Sequence, residues 1–84
     1  MPPIEQSPGA DGLRRLSRRE AEVLENASLG LTNEQVAARL NVTVHVVKFH
    51  LASIYRKLEV ANRTQAASVY LRASAVQRNP VEGG

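Results

Sequence analysis

Apolar residues recur at helical spacing between residues 43 and 58. On a helix that turns by about 100° per residue, positions three or four apart share a side. One side collects four aliphatic residues: Val47, Leu51, Ile54 and Leu58. The opposite side carries a different set: His45, Lys48, Phe49, Ala52, Ser53 and Arg56. The pattern predicts an amphipathic helix with one face packed inward and the other exposed.

Capping patterns mark where two earlier helices begin. Ser17 precedes Glu20 by three residues, and Thr32 precedes Gln35 by the same interval. This is the spacing of a capping box, in which each side chain bonds the backbone amide of the other residue. Gly30 is suited to end the first of these helices, because glycine enters the left-handed region without strain.

A tight turn is predicted at Asn41, because asparagine tolerates a left-handed backbone. Thr43 then caps the amphipathic helix, which gives a helix-turn-helix over about residues 31–50 and a recognition helix over about residues 43–58. A last helix is expected from about residue 62 to residue 75. No segment alternates as a strand does, so the predicted fold class is all-α with four helices.

Composition divides the chain into three parts. Residues 1–12 are rich in proline and glycine and are expected to form a flexible arm, while residues 79–84 are expected to be a disordered tail. The domain itself is expected over residues 13–78. There is no cysteine and no apolar run of membrane-spanning length, so we expect a soluble, cytoplasmic protein.

The net positive charge lies in the second half of the chain, because most of the acidic residues lie in the first half. Five cations between residues 43 and 72 face the single acid Glu59: Lys48, Arg56, Lys57, Arg63 and Arg72. The recognition helix itself contains no acid, and Ala52 and Ser53 would allow close approach to base edges. These features favour a polyanion as partner, although a basic face is often merely solvated.

The residues argue against enzymatic activity and against a metal or other cofactor. His45 and His50 lie on different sides of one helix, and no cysteine is present to join them at a metal ion. No paired carboxylates or phosphate-binding glycine loop occur, and a domain of this size is too small to enclose a substrate.

Four spaced blocks of the sequence resemble one known family. The blocks are residues 16–24 (LSRREAEVL), 30–37 (GLTNEQVA), 47–58 (VKFH followed by IYRKL) and 62–66 (NRTQA). Together they closely resemble the LuxR-type (GerE-like) helix-turn-helix domain of bacterial transcription regulators. That resemblance implies a four-helix domain whose third helix enters the major groove of DNA.

The resemblance also implies roles for individual residues. Lys48, Phe49 and Ala52 match positions from which family members contact bases. Five other residues match positions near the phosphates: Thr32, Thr43, Arg56, Lys57 and Arg63. His45 joins this expected DNA-binding set because it lies on the same outward face.

The last helix is expected to contribute a dimer contact. Ala67, Leu71 and Ser74 form a stripe of mostly small residues along it, and the family's fourth helix often forms such a contact. The stripe is also compatible with ordinary surface alanine. The expected assembly is a homodimer through this helix.

Three departures from the family pattern bear on specificity. Val46 stands where a threonine is usual, Glu59 where a glycine is frequent, and Phe49 and Ala52 where side chains are more often polar. A glutamate in a left-handed cap costs roughly 1 kcal/mol. Apolar residues on the reading face weaken hydrogen-bonded readout and favour contacts with thymine methyl groups.

The sequence thus predicts a regulator of transcription that binds double-stranded DNA. The alternative is a protein-interaction module that modulates related regulators or transcription machinery, such as RNA polymerase, by heterodimerisation through its last helix. Binding to duplex DNA that weakens steeply with salt would favour the first, whereas a stable protein complex without DNA binding would favour the second.

Overall fold

Five helices form within residues 8–78, which are the part of the chain that the computed structural model describes. They are α1 (Pro8–Arg14), α2 (Arg18–Ser28), α3 (Asn33–Leu40), α4 (Val44–Leu58) and α5 (Arg63–Arg78). No strand occurs among the described residues, so the all-α prediction is confirmed. None of the described helices has the length and apolar character needed to cross a lipid bilayer.

The amphipathic helix α4 lies at the centre of the fold and contacts each of the other four helices. Its predicted inward stripe is buried together with residues of α2, α3 and α5. The core consists of Val23, Leu24, Ala27, Val36, Ala37, Val47, Leu51, Ile54, Leu58 and Ala66. Small Ala37 in this set allows α3 to lie close to α4.

The predicted caps are present. Ser17 Oγ accepts from the Glu20 amide at 3.1 Å, and the Glu20 carboxylate accepts from the Ser17 amide at 2.8 Å. Thr32 and Gln35 form the same reciprocal pair. Each box satisfies amides that the first helical turn leaves without a partner.

The turn between α3 and α4 also follows the prediction. Asn41 adopts φ 59° and ψ 47°, and the Val42 amide donates to the Ala37 carbonyl at 3.0 Å. Thr43 then caps α4, with its hydroxyl accepting from the Val46 amide at 3.1 Å. The two helices are therefore joined by a short turn whose direction is fixed by hydrogen bonds.

Helix α1 was not predicted, and it corrects the expectation of a flexible arm over residues 8–12. Gly12 is buried where α1 crosses the end of α4, and a Cβ atom at this position would clash with the Lys57 carbonyl oxygen. A glycine-rich segment with weak helical propensity thus becomes a helix through tertiary contact with α4. Residues 1–7 of the predicted arm and the predicted tail at 79–84 lie outside the described residues.

Helix α4 ends in a strained residue. Glu59 adopts φ 60° and ψ 44°, and its amide donates to the Arg56 carbonyl at 3.2 Å. This left-handed conformation is strained for an L-residue with a Cβ atom, whereas glycine adopts it without strain. The folded domain therefore carries the conformational strain that was expected for glutamate at this cap.

We expect Glu59→Gly to stabilise the domain by about 0.5–1 kcal/mol, which is the relieved strain minus the extra entropy of glycine in the unfolded chain. Urea unfolding followed by circular dichroism measures the difference. Asn41→Gly is the matched control, because asparagine already tolerates the same conformation. If both substitutions changed the free energy of unfolding equally, strain at Glu59 would be refuted.

Candidate nucleic-acid interface

The outward face of α4 is exposed as the sequence predicts. His45, Lys48, Ala52 and Arg56 are exposed, and Phe49 retains 69% of its accessible surface. His50 is half-buried at the edge of the inward stripe. Lys48 and Arg56 form no ion pair with any described residue. The face therefore presents cations and an apolar ring without a neutralising acid on the same helix.

Ser53 corrects the predicted outward face. It is buried, and its hydroxyl donates to the Glu20 carboxylate at 2.6 Å. The helical wheel placed Ser53 outward because it lies about 100° around the helix from the nearest aliphatic residue, Ile54. Helix α2 covers that side of α4, so Ser53 meets a buried acid instead of solvent.

Lys57 belongs to the same cluster. Its Nζ atom lies 2.8 Å from Glu20 Oε1 and donates to the Arg15 carbonyl at 3.3 Å. The Glu20 carboxylate thus joins the start of α2 to two residues of α4. Sequence reasoning gave Glu20 only its capping role, because Ser53 and Lys57 are distant in the chain. The signal in the sequence was the pair Ser53 and Lys57, four residues apart on one side of α4. Both can donate a hydrogen bond, so together they could have indicated an acid on a neighbouring helix.

The pKa of Glu20 reflects these contacts. Burial of the carboxylate raises its pKa, but hydrogen bonds from Lys57, Ser53 and the Ser17 amide, together with the charge of Lys57, lower it by more. The result is a pKa of about 2 in place of the ordinary 4.5. The carboxylate is therefore ionised in the folded domain well below neutral pH.

Arg63 ties the start of α5 to the start of α3. Its guanidinium donates to the Asn33 side-chain oxygen at 2.7 Å and also to the Leu31 carbonyl. Arg63 is half-buried between these elements. The two predicted phosphate contacts Lys57 and Arg63 thus both hold helices together within the domain.

Thr32 and Thr43 lie at the starts of α3 and α4, and both are exposed. Each hydroxyl accepts from a backbone amide of its own helix. A hydroxyl that accepts one hydrogen bond can still donate its proton to a second acceptor. Both threonines therefore keep a donor available to a phosphate oxygen.

The predicted dimer residues lie along α5. Leu71 is 50% exposed, while Ala67 and Ser74 are half-buried. Leu71 and Ser74 border a shallow depression that also includes Leu29, which follows α2 and is 64% exposed. The depression is lined by both apolar and polar residues, and none of them belongs to α4.

Among the described residues, no three histidine, aspartate or glutamate side chains come together as a metal-binding group. Within the part of the chain whose burial is described, Glu20 is the only buried acid, and its carboxylate accepts hydrogen bonds from α4 and from its own cap. The arrangement instead consists of a short turn, a central helix and an exposed basic face. It defines a helix-turn-helix domain of the kind that places one helix in the major groove.

Comparison with known proteins agrees with this class. The family model for bacterial regulatory proteins of the luxR family matches residues 14–70. The chain therefore belongs to the luxR family.

Several curated regulators align with the same region. The nitrate/nitrite response regulator protein NarP of Escherichia coli is 37% identical over 62 residues, covering 74% of this chain and 29% of NarP. The transcriptional regulatory protein LnrK of Bacillus subtilis is 44% identical over 57 residues, covering 68% and 26%. The transcriptional activator protein RaiR of Rhizobium etli is 47% identical over 53 residues, covering 63% and 22%. The chain spans less than a third of the length of these relatives.

The Glu20 cluster gives the domain a defined acid sensitivity. The pKa of Glu20 is lower in the folded than in the unfolded state, so its ionised carboxylate stabilises the fold above pH 4.5. This contribution is lost as the pH falls from 4.5 towards 2. We expect the loss to be on the order of 3 kcal/mol. Glu20→Gln removes it, so the variant should be less stable at pH 7 but should lose less stability on acidification.

Urea unfolding at pH 7 and at pH 3 measures this difference. Glu25→Gln is the matched control, because Glu25 is exposed on the same helix and lies outside the cluster. Its acid dependence should follow that of the unsubstituted domain. Equal acid dependence in all three proteins would contradict a lowered pKa for Glu20.

Proposed function

We propose that this chain binds double-stranded DNA as part of a bacterial regulator of transcription, with α4 in the major groove. The observation that carries the proposal is the exposed face of α4, which has two cations without an ion-pair partner among the described residues, the small residue Ala52 and no acid. Membership of the luxR family and the regulator names of the relatives support the same function. A cytoplasmic location and the absence of catalysis belong to this proposal.

The contacts within the domain support a division of roles among the cations. In this proposal Lys48 contacts base edges and Arg56 contacts phosphates, and both side chains are exposed. Lys57 and Arg63 act as positioning residues, because their charges already bind acceptors that hold α4 and α5. His45, Thr32 and Thr43 complete the interface around the start of the recognition helix.

We expect Lys48→Ala to weaken binding to a preferred duplex by about 1–3 kcal/mol and to reduce the preference for that duplex. Arg56→Ala should weaken binding to all duplexes alike, and should lower the slope of log K against log salt by about one. Fluorescence anisotropy at several salt concentrations measures both effects. The preferred duplex comes from selection out of a random pool.

Lys57→Met is the informative comparison for this experiment. Because Lys57 pairs with Glu20, its removal should lower the free energy of unfolding while leaving the salt slope unchanged. A slope lowered as much by Lys57→Met as by Arg56→Ala would assign Lys57 to the phosphates instead. A domain that binds no duplex at any salt concentration would refute the proposed function.

The partner is proposed to be a second copy of the chain, bound through α5. The support is the depression bordered by the exposed Leu29 and Leu71, which also includes Ser74 of the predicted stripe. Two copies related by a two-fold axis would present two α4 helices to two half-sites. The regulator names of the relatives do not favour the alternative of a module that only binds other proteins.

We expect Leu71→Glu to shift the chain towards monomer, because two copies of the substituted surface would bring buried carboxylates together. Sedimentation velocity over a range of concentrations measures the shift. Ala61→Glu is the matched control, since Ala61 is exposed and lies before α5. An unchanged association constant for Leu71→Glu would exclude this face from the dimer.

A further inference from the structure

The Phe49 ring is the most exposed large hydrophobic side chain among the described residues. It retains 69% of its surface, and the two other exposed large hydrophobics, Leu29 and Leu71, lie on or after other helices. Exposure of this much apolar ring to water is unfavourable, and Phe49 belongs neither to the core nor to the residues packed against it. The ring is thus available to a surface that covers it.

The neighbours of Phe49 define what that surface can be. Ala52 lies three residues further along α4 and is also exposed, so the neighbour of Phe49 on that side of the helix has only a methyl group as its side chain. The ring of His50 meets the Phe49 ring edge to face, with centroids 5.7 Å apart and planes at 64°. The Phe49 ring therefore contacts His50 on one side, and the rest of the ring is an exposed apolar surface.

The charged residues near Phe49 favour DNA over an apolar protein surface as the partner that covers the ring. Lys48 and Arg56 flank this part of α4, are exposed, and pair with no described acid. An apolar partner would have to bury these charges at a high cost. A duplex neutralises them with phosphates and brings base edges to the ring.

We propose that Phe49 and Ala52 form a binding site for the methyl group on C5 of a pyrimidine, so that α4 reads sequence partly through methyl contacts. The proposal rests on the proposed DNA binding. Thymine is the base that displays an apolar group in the major groove, and 5-methylcytosine carries the same group at the same carbon. Neither Phe49 nor Ala52 has a side-chain donor or acceptor, so this readout needs no hydrogen bond.

Uracil substitution tests the site directly, because it removes the methyl group and keeps every hydrogen-bonding group of thymine. Each thymine of the selected duplex is replaced in turn by uracil, and affinity is measured by anisotropy. We expect a loss of about fourfold per methyl group at one or two positions. In Phe49→Ala the ratio of thymine to uracil affinity should fall to about one at those positions.

Lys48→Ala is the matched variant for this comparison. It should weaken binding to the thymine and uracil duplexes alike and so preserve their ratio. Circular dichroism checks that Phe49→Ala retains its helix content, as expected for an exposed side chain. An undiminished ratio in Phe49→Ala would overturn the assignment of the site to Phe49.

Two further duplexes place cytosine or 5-methylcytosine at the same positions. The methylated base should bind about fourfold more tightly than cytosine, and its affinity relative to thymine identifies which base the site prefers. If the domain binds duplex DNA but the thymine and uracil duplexes are equal at every position, methyl readout is refuted while the proposed function stands. Absence of salt-dependent binding to any duplex would instead refute the proposed function.

Discussion

The rest of the structure depends on the burial of one face of α4. Val47, Leu51, Ile54 and Leu58 lie in the core and are covered by residues from α2, α3 and α5. Because a helix is rigid, fixing this stripe also fixes the direction of the opposite face. Stability and the proposed recognition of DNA are therefore properties of the same fifteen-residue helix.

The buried carboxylate of Glu20 adds a polar constraint to this apolar packing. Aliphatic contacts leave some freedom for a helix to slide or rotate, whereas hydrogen bonds to Ser53 and Lys57 specify one register of α4 against α2. The same acid caps α2 through Ser17. One side chain therefore couples the start of a supporting helix to the helix that is proposed to enter the groove.

The cations of the proposed interface differ in whether they already have partners within the domain. Lys57 and Arg63 bind carboxylate, amide or carbonyl oxygens inside the domain, whereas Lys48 and Arg56 have no acidic partner among residues 8–78. Charge count alone would treat all four as equal contributors to binding. Under the proposed function, the exposed pair is therefore the main source of attraction to phosphate, and Phe49 is the apolar part of the face.

The sequence by itself determined the all-α class, the caps at Ser17, Thr32 and Thr43, the left-handed turn at Asn41 and the two faces of α4. Each depends on residues within a few positions of one another, where backbone geometry leaves few choices. Only the tertiary structure decided that residues 8–14 are helical, that Ser53 is buried and that Lys57 pairs with Glu20. These features arise from contacts between distant segments, because a helical wheel gives directions around one helix but not which neighbour covers its borders.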